Sequence, residues 1–443
     1  MPKRIPAICA SLALVLLLAA CGTRDPYAPV QDLTELPQDA GAYHHLPPDE
    51  RLLKETAQQA AWDGFMAAHF DPWTRNKPKN PAEKVFWGLS AFEGKRLFGE
   101  NTLPLDAGWL DRMRAASRVN DFPGLHRRAV TVTNASLRVL PTHRPAFYDF
   151  RQAGEGFPFD YMQNSLVLAG TPLLATHVSA DRAWVLVECR FAYGWVRATD
   201  IAWVDDAFAA AYQSGAYLAV TRDDVPLTDL DGRYRFTTHV GALFPVTGSG
   251  PDGRPVIGVP VRDDLGNAVL HAVEPPEGTM QPAPIPATPA NFARIANAML
   301  GRAYGWGGLY EDRDCSALAM DLMAGFGILL PRNSSQQIRV GTKIALDGMD
   351  RDGKRRLIAG QGTPFLTLIR KPGHIMVYLG DRGGEPVVLH ATWGLKTETG
   401  GGYGRKVIGG AVITTLEPGL ELDDLARPEG ILLETVRAMT TLP

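Results

Sequence analysis

The sequence predicts a multidomain chain: a mainly helical N-terminal region, two small all-β barrels, and a C-terminal domain that combines helices with an antiparallel hairpin. Three observations predict it. The chain has 443 residues, and single cores stop growing beyond about 250–300 residues. Near Ala129 helical spacing gives way to short alternating runs closely spaced by turns. At residues 274–289, Pro275, Pro276, Pro282, Pro284, Pro286 and Pro289 break the chain, and helical periodicity resumes after them; such a stretch reads as a stiff, extended linker. The domains are accordingly expected at 21–125, 126–204, 205–275 and 276–443, after a signal at 1–20. Apolar residues are 45% and charged residues 21%, the mix of a folded chain. The net charge of -3, with both signs interspersed, excludes the clustered basic footprint of a nucleic-acid binder.

The N-terminus carries an address. Lys3 and Arg4 precede an apolar run at 8–18, followed by Leu18-Ala19-Ala20-Cys21-Gly22. A charged start, a short apolar core and small residues make a secretory signal. Residues 5–23 are uncharged and long enough to span a bilayer, so a retained transmembrane anchor is the competing reading. The Leu-Ala-Ala-Cys ending resembles a bacterial lipobox. That resemblance implies lipidation of Cys21, a membrane anchor and a periplasmic location, with Gly22 fitting the outer membrane. Of the four cysteines, Cys9 leaves with the signal and Cys189 sits in an alternating run, Trp184 to Cys189, where it reads as a small buried hydrophobe. Cys315 is left as a lone thiol in an exported chain.

A polar, proline-containing tether is expected up to Pro48, then helices. Asn80-Pro81-Ala82-Glu83 reads as a capped start. Trp62, Phe65, Phe70, Trp73, Phe86 and Trp87 read as packing residues rather than a cofactor site. The first barrel draws on Ala129 to Thr133, Trp184 to Cys189, Gly194 to Val196 and Ile201 to Val204; a second β-rich run follows at 216–273. Beyond the prolines, Thr288-Pro289 caps a helix whose apolar positions are Phe292, Ile295, Ala296, Met299 and Leu300, ended by Gly301.

The chemistry lies after residue 300. Asp314 is placed to cap a helix that begins at Cys315, with Leu318, Ala319, Leu322, Met323 and Phe326 on one face. Free amides and the helix dipole there favour a thiolate, while the Asp314 charge opposes it. His374 to Leu379 reads as a strand, Asp381 to Gly384 as a turn, and Pro386 to His390 as the returning strand. An unbroken hairpin places His374 and His390 within one residue of facing each other, roughly 5 Å apart, so His390 can orient His374 as a base for Cys315. A zinc site from Cys315, His374 and His390 lacks any Cys-x-x-Cys or His-Glu-x-x-His support. The Gly305-Trp306-Gly307-Gly308 cluster lacks the spacing of a phosphate loop. No metal or cofactor is expected.

Tyr304-Gly305-Trp306-Gly307-Gly308, Asp314-Cys315-Ser316, Leu330-Pro331-Arg332-Asn333-Ser334, Gly373-His374 to Gly380 and His390-Ala391 together resemble the NlpC family of papain-like cell-wall cysteine peptidases. The stretch from Ser179 to Val204 resembles bacterial SH3-like domains. The resemblance implies an α+β catalytic domain with helices on a small antiparallel sheet, and a peptidase that cuts peptidoglycan stem peptides after γ-D-glutamate, before the diamino acid. It implies Cys315 as nucleophile, His374 as base, and an oxyanion met by helix-start amides and the Tyr304 hydroxyl. Asp314, Ser316 and Ser334 are implied around a free N-terminal L-alanine, and Trp306 in the substrate site. Asp160, Tyr161 and Tyr193 are the first-barrel residues expected to wall it off. Asn333 replaces the Asp of many relatives, and the charged loop at 309–313 is expected to reshape the pocket. A same-fold acyltransferase or lipid hydrolase is disfavoured by the order Cys before His. A non-enzymatic murein-binding lipoprotein is disfavoured by the intact Cys, His and His.

Overall fold

The computed structural model describes residues 27–443, so the signal, the lipobox and Cys21 lie outside the described residues. No helix among the described residues is long and apolar enough to cross a membrane.

The first barrel is an antiparallel sheet of seven strands, in the order Gln163–Val167, Ala135–Arg138, Tyr193–Arg197, Trp184–Glu188, Pro172–Val178, Arg127–Thr131 and Ile201–Trp203. Alternation buries Ala129, Leu137, Val185, Val187 and Val196 in one core, while Leu186 and Trp195 face a second one shared with the N-terminal helices. The second barrel has five strands, Ala268–Val273, Pro255–Arg262, Leu243–Ser249, Tyr217–Val220 and Met280–Ala283, plus a Val225–Thr228/Tyr234–Thr238 hairpin. The proline-rich stretch is therefore not only a linker. Its Met280–Ala283 portion pairs with Tyr217–Val220, an edge position where Pro282 costs no inner ladder bond.

The catalytic domain is α+β. Its antiparallel sheet runs Thr342–Ala345, Ala438–Thr441, Thr367–Lys371, His374–Arg382, Glu385–Thr399, Gly402–Thr415. Alternation splits its apolar residues between two faces. Ile375, Val377, Leu379 and Leu389 pack on Leu318, Ala319 and Leu322 of the Cys315–Ala324 helix and on the Pro289–Met299 helix. Met376, Tyr378 and Val388 face Ile358, Leu416, Ile431 and Leu433. Thr288 caps the Pro289–Met299 helix as expected, accepting from the Asn291 amide at 3.3 Å.

The N-terminal region braces the assembly. Gln58 of the Glu55–Thr74 helix donates to the Ile285 and Phe326 carbonyls at 2.7 and 3.1 Å, and Trp73 donates to the Ala129 carbonyl at 2.8 Å. Two local expectations fail. Asn80 does not cap a helix: its amide donates to buried Glu188 at 2.9 Å, and the helix starts after Pro81, at Ala82. The stretch before Pro48 is not a free tether. Val30, Leu36, Ala40 and Tyr43 are buried against the catalytic domain, because these apolar anchors recur among the polar residues. Asp32 accepts from the Thr415 amide and hydroxyl at 2.7 and 2.8 Å.

Candidate active site

Cys315 opens its helix. The Asp314 side chain accepts from the Ser316 and Ala317 amides at 3.1 and 2.9 Å, which caps the helix. The thiol is buried, and the backbone amide of Ile375, the residue after His374, donates to it. Burial and the Asp314 charge push the thiol up to about 12. Burial, then His390 and Lys371, hold His374 well below the usual histidine range. Burial and Lys371 bring His390 down to about 3. The resting pair is therefore neutral thiol and neutral imidazole.

His374 Nε2 lies 2.8 Å from His390 Nδ1. The hairpin does not run straight to this contact. Gly383-Gly384 forms a two-residue turn with φ of 65° and 87°, but the register shifts between Tyr378 and Gly380. Continued from Arg382↔Glu385 without that bulge, the pairing would leave the two histidines on opposite faces. The extra residue makes them diagonal neighbours on one face. Gly380 has φ 130°, and a Cβ there would meet the Tyr43 carbonyl oxygen at 1.8 Å, so the N-terminal segment seats the bulge.

One assignment of tautomers satisfies all of these hydrogen bonds at once. The Thr414 hydroxyl donates to the Thr415 carbonyl at 2.7 Å and so accepts from His390 Nε2 at 3.0 Å. Neutral His390 then has Nδ1 as acceptor, which receives the His374 Nε2 proton. The Nδ1 lone pair of His374 is left as the base.

A cleft of about 680 Å³ joins Cys315, His374, Tyr304 and Trp306 with Phe159, Tyr161, Lys371, Trp393, Lys396 and Arg405. Trp306 packs against Phe159 and Tyr161 of the first barrel at ring distances of 5.2 and 6.1 Å. Burial raises the Tyr304 hydroxyl above its ordinary range, so it is a neutral donor. The glycines after Trp306 are a docking surface. Gly307 and Gly308 have φ of 61° and 86°, and a Cβ at Gly308 would meet Leu166 Cβ at 2.3 Å. Only glycine lets this loop lie on the barrel strand.

Several expected positions do not face the cleft. Asp314 is buried and saturated: besides its cap it accepts from the Gly307 amide at 3.1 Å, the Ser316 hydroxyl at 2.9 Å, and Arg332 at 3.0 and 2.6 Å. Ser316 is buried in the same network, accepting from Arg332 at 2.8 Å. Ser334 starts a short helix, Ser334–Gln337, and lies off the cleft wall. Asp160 is buried, bound to Arg138 at 2.8 Å and to the Ala146 and Met162 amides. Tyr193 packs into the helix-side core of the first barrel. Tyr161 alone of the three barrel residues lines the cleft, and its hydroxyl donates to Glu155 at 2.9 Å. The charged loop after Gly308 clamps the barrels: Arg313 pairs with Asp223 and Asp321, both at 2.7 Å, and Glu311 meets His239 at 2.9 Å and Asn134 at 2.7 Å. Sequence reasoning missed Arg332, Lys371, Arg405, Phe159 and Trp393. Arg332 lay inside a motif already singled out; the others carried no spacing signal.

Four family models match in order: the NLPC_P60 stabilising domain at 10–122, an SH3 domain of SH3b1 type at 145–197, an SH3 domain of SH3b2 type at 205–251, and the NlpC/P60 family at 301–399. Residues 301–399 are an NlpC/P60 family domain. The chain is similar to a solved NlpC/P60 endopeptidase from Photobacterium damselae subsp. piscicida, with 26% identity and a TM-score of 0.82 over 91% of this chain and 96% of that one. An NlpC/P60 family protein from Bacillus cereus ATCC 10987 is more distant, with 14% identity and a TM-score of 0.45 over 71% of this chain and 100% of that one. No curated protein matches the chain. The chain thus joins two SH3 domains to a peptidase domain of the NlpC/P60 family.

Proposed function

We propose that this NlpC/P60 peptidase hydrolyses the amide between γ-D-glutamate and the diamino acid of murein stem peptides, with Cys315 as nucleophile. The observation that supports it most is the ordered relay from Thr414 through His390 to His374, ending on a lone pair in the cleft that holds the thiol. His374 Nδ1 takes the thiol proton as sulfur attacks the carbonyl carbon, because burial disfavours a standing ion pair. The Ser316 and Ala317 amides are committed to Asp314, so the oxyanion falls to the Cys315 amide and the neutral Tyr304 hydroxyl. His374 returns the proton to the leaving amine, and the C–N bond breaks. Water then adds to the thioester, His374 takes one of its protons, and the acid leaves as the thiol reforms.

The substrate preference proposed is a stem with a free N-terminal L-alanine. The first barrel walls the cleft with Phe159 and Tyr161, which favours a short end on that side. Because Asp314 is saturated, the acid better placed for an ammonium is Glu155, held by Tyr161. Mass analysis of products from free and N-acetylated tripeptide tests both claims. A product cut elsewhere refutes the bond, and equal turnover of the two substrates refutes the free-amine preference. We further propose a lipid anchor on Cys21 facing the periplasm, motivated by Leu18-Ala19-Ala20-Cys21. A mature N-terminus at another residue, or an unmodified Cys21, refutes it.

A further inference from the structure

The cleft is charged in one sense. Among the described residues that line it, Lys371, Lys396, Arg405 and Arg437 stand against one carboxylate, the exposed Glu429, with Glu155 behind Tyr161 at its edge. Arg437 lies 3.4 Å from Asp347 and is half exposed. The other three reach aromatic rings or each other's fields. The Lys396 ammonium sits 3.4 Å from the Tyr403 ring centroid. Arg405 lies 5.4 Å over Phe159, and its buried Nε has no hydrogen-bond partner among the described residues. Glu155 acts on Arg405 from a distance, with its carboxylate accepting from Tyr161. Lys371 is half-buried, and burial pulls its ammonium down, as do Arg405 and Lys396, against the opposing pull of Cys315. Among the described residues, neither Lys371 nor Arg405 has an ion-pair partner within the cleft lining, and partly desolvated cations so placed destabilise the unliganded protein. They fit a site whose ligand brings the anions.

We propose that Lys371 and Arg405 form a carboxylate receptor beside the nucleophile, which selects wall peptides bearing free carboxylates next to the scissile amide over the same peptides amidated there. This rests on the γ-D-glutamyl–diamino acid reading, in which the residue on each side of the bond carries a carboxyl group. The γ-linkage leaves the α-carboxylate of glutamate free, a few bonds from the carbonyl under attack. His374 is held down by burial first, then by His390 and Lys371, and a carboxylate on Lys371 offsets the last of these.

The test uses the full chain with Cys315→Ala, so that binding is read without turnover. Calorimetry compares L-alanyl-γ-D-glutamyl-diaminopimelate as free acid, as glutamate α-amide and as diaminopimelate amide. The free acid should bind at least tenfold tighter than one or both amides. Lys371→Met should abolish the discrimination at one carboxylate and Arg405→Met at another, while Lys371→Arg retains it; unchanged melting temperatures show that the variants fold. Equal binding of acid and amides, or Lys371→Met weakening all three ligands alike, overturns the receptor. If the parent enzyme cuts a different bond while the discrimination persists, the bond assignment falls and the receptor stands.

Discussion

Thr414 does not line the cleft, yet Thr414→Val should slow the enzyme. The hydroxyl is what makes His390 carry its proton on Nε2, 3.0 Å away. In the valine variant that buried N–H loses its acceptor, which costs about 1–3 kcal/mol. The proton can move to Nδ1 instead, and His374 must then offer Nε2 as acceptor and hold its proton on Nδ1, where no base remains. A penalty of that size shifts the tautomer balance by a factor of roughly 5 to 160. kcat should fall by up to that factor with KM little changed, because the cleft wall is untouched. Thr414→Ser should restore most of the rate. The assay is steady-state hydrolysis of a defined murein peptide, with melting temperature as control. A Thr414→Val enzyme working at the parent rate, or a loss that serine does not rescue, would refute the relay.

Cys315→Ala should abolish hydrolysis without unfolding, and His374→Ala should cost about 10²–10⁴ in kcat, the range of a lost general base; His390→Ala should retain more, and parent-rate turnover by Cys315→Ala would remove the nucleophile assignment. Because His374 is depressed below the usual histidine value, it remains an unprotonated base down to lower pH, so the acid limb of kcat/KM should lie below 6.5; half-maximal loss at 7 would contradict this. Arg332→Met strands the buried Asp314 charge and should cost about 3–5 kcal/mol at neutral pH. Burial raises that carboxyl, but Arg332 outweighs it and leaves it below the ordinary range, so its stabilisation is present above the unfolded carboxylate pKa and is lost as pH falls; the gap between parent and variant in thermal melts should narrow in acid. Gly380→Ala combines a forbidden φ with a backbone clash and should melt well below the parent with loss of activity; a parent-like melt would show that the bulge tolerates a side chain.

The elements that carry local signals were legible. Alternation marks Trp184–Glu188 and His374–Arg382 as strands, and Thr288-Pro289 and Asp314 mark helix starts. The cysteine and both histidines stood out because few residue types do such chemistry. The bulge at Gly380 was not legible, since the Tyr43 carbonyl packed against it lies far away in sequence. The same holds for Asp314. The family resemblance set it at the substrate's free amine, but Arg332 of the Leu-Pro-Arg run occupies it. Asp160 and Tyr193 were misjudged because sequence places a residue on a domain and not on a wall of it. The polar stretch before Pro48 concealed anchors spaced too irregularly to show a period.

The burial of Val30 in the catalytic domain sets a leash. If Cys21 is held by lipid, the segment between it and Val30 is at most ~30 Å long at full extension. The protease would then hang from the membrane by its cutting domain, with the barrels joined to that domain through Arg313 and the glycine loop. Its working radius would then be set by this short strap together with the size of the folded body. Lengthening the strap by insertion before Val30 would extend that radius without altering a single atom of the cleft.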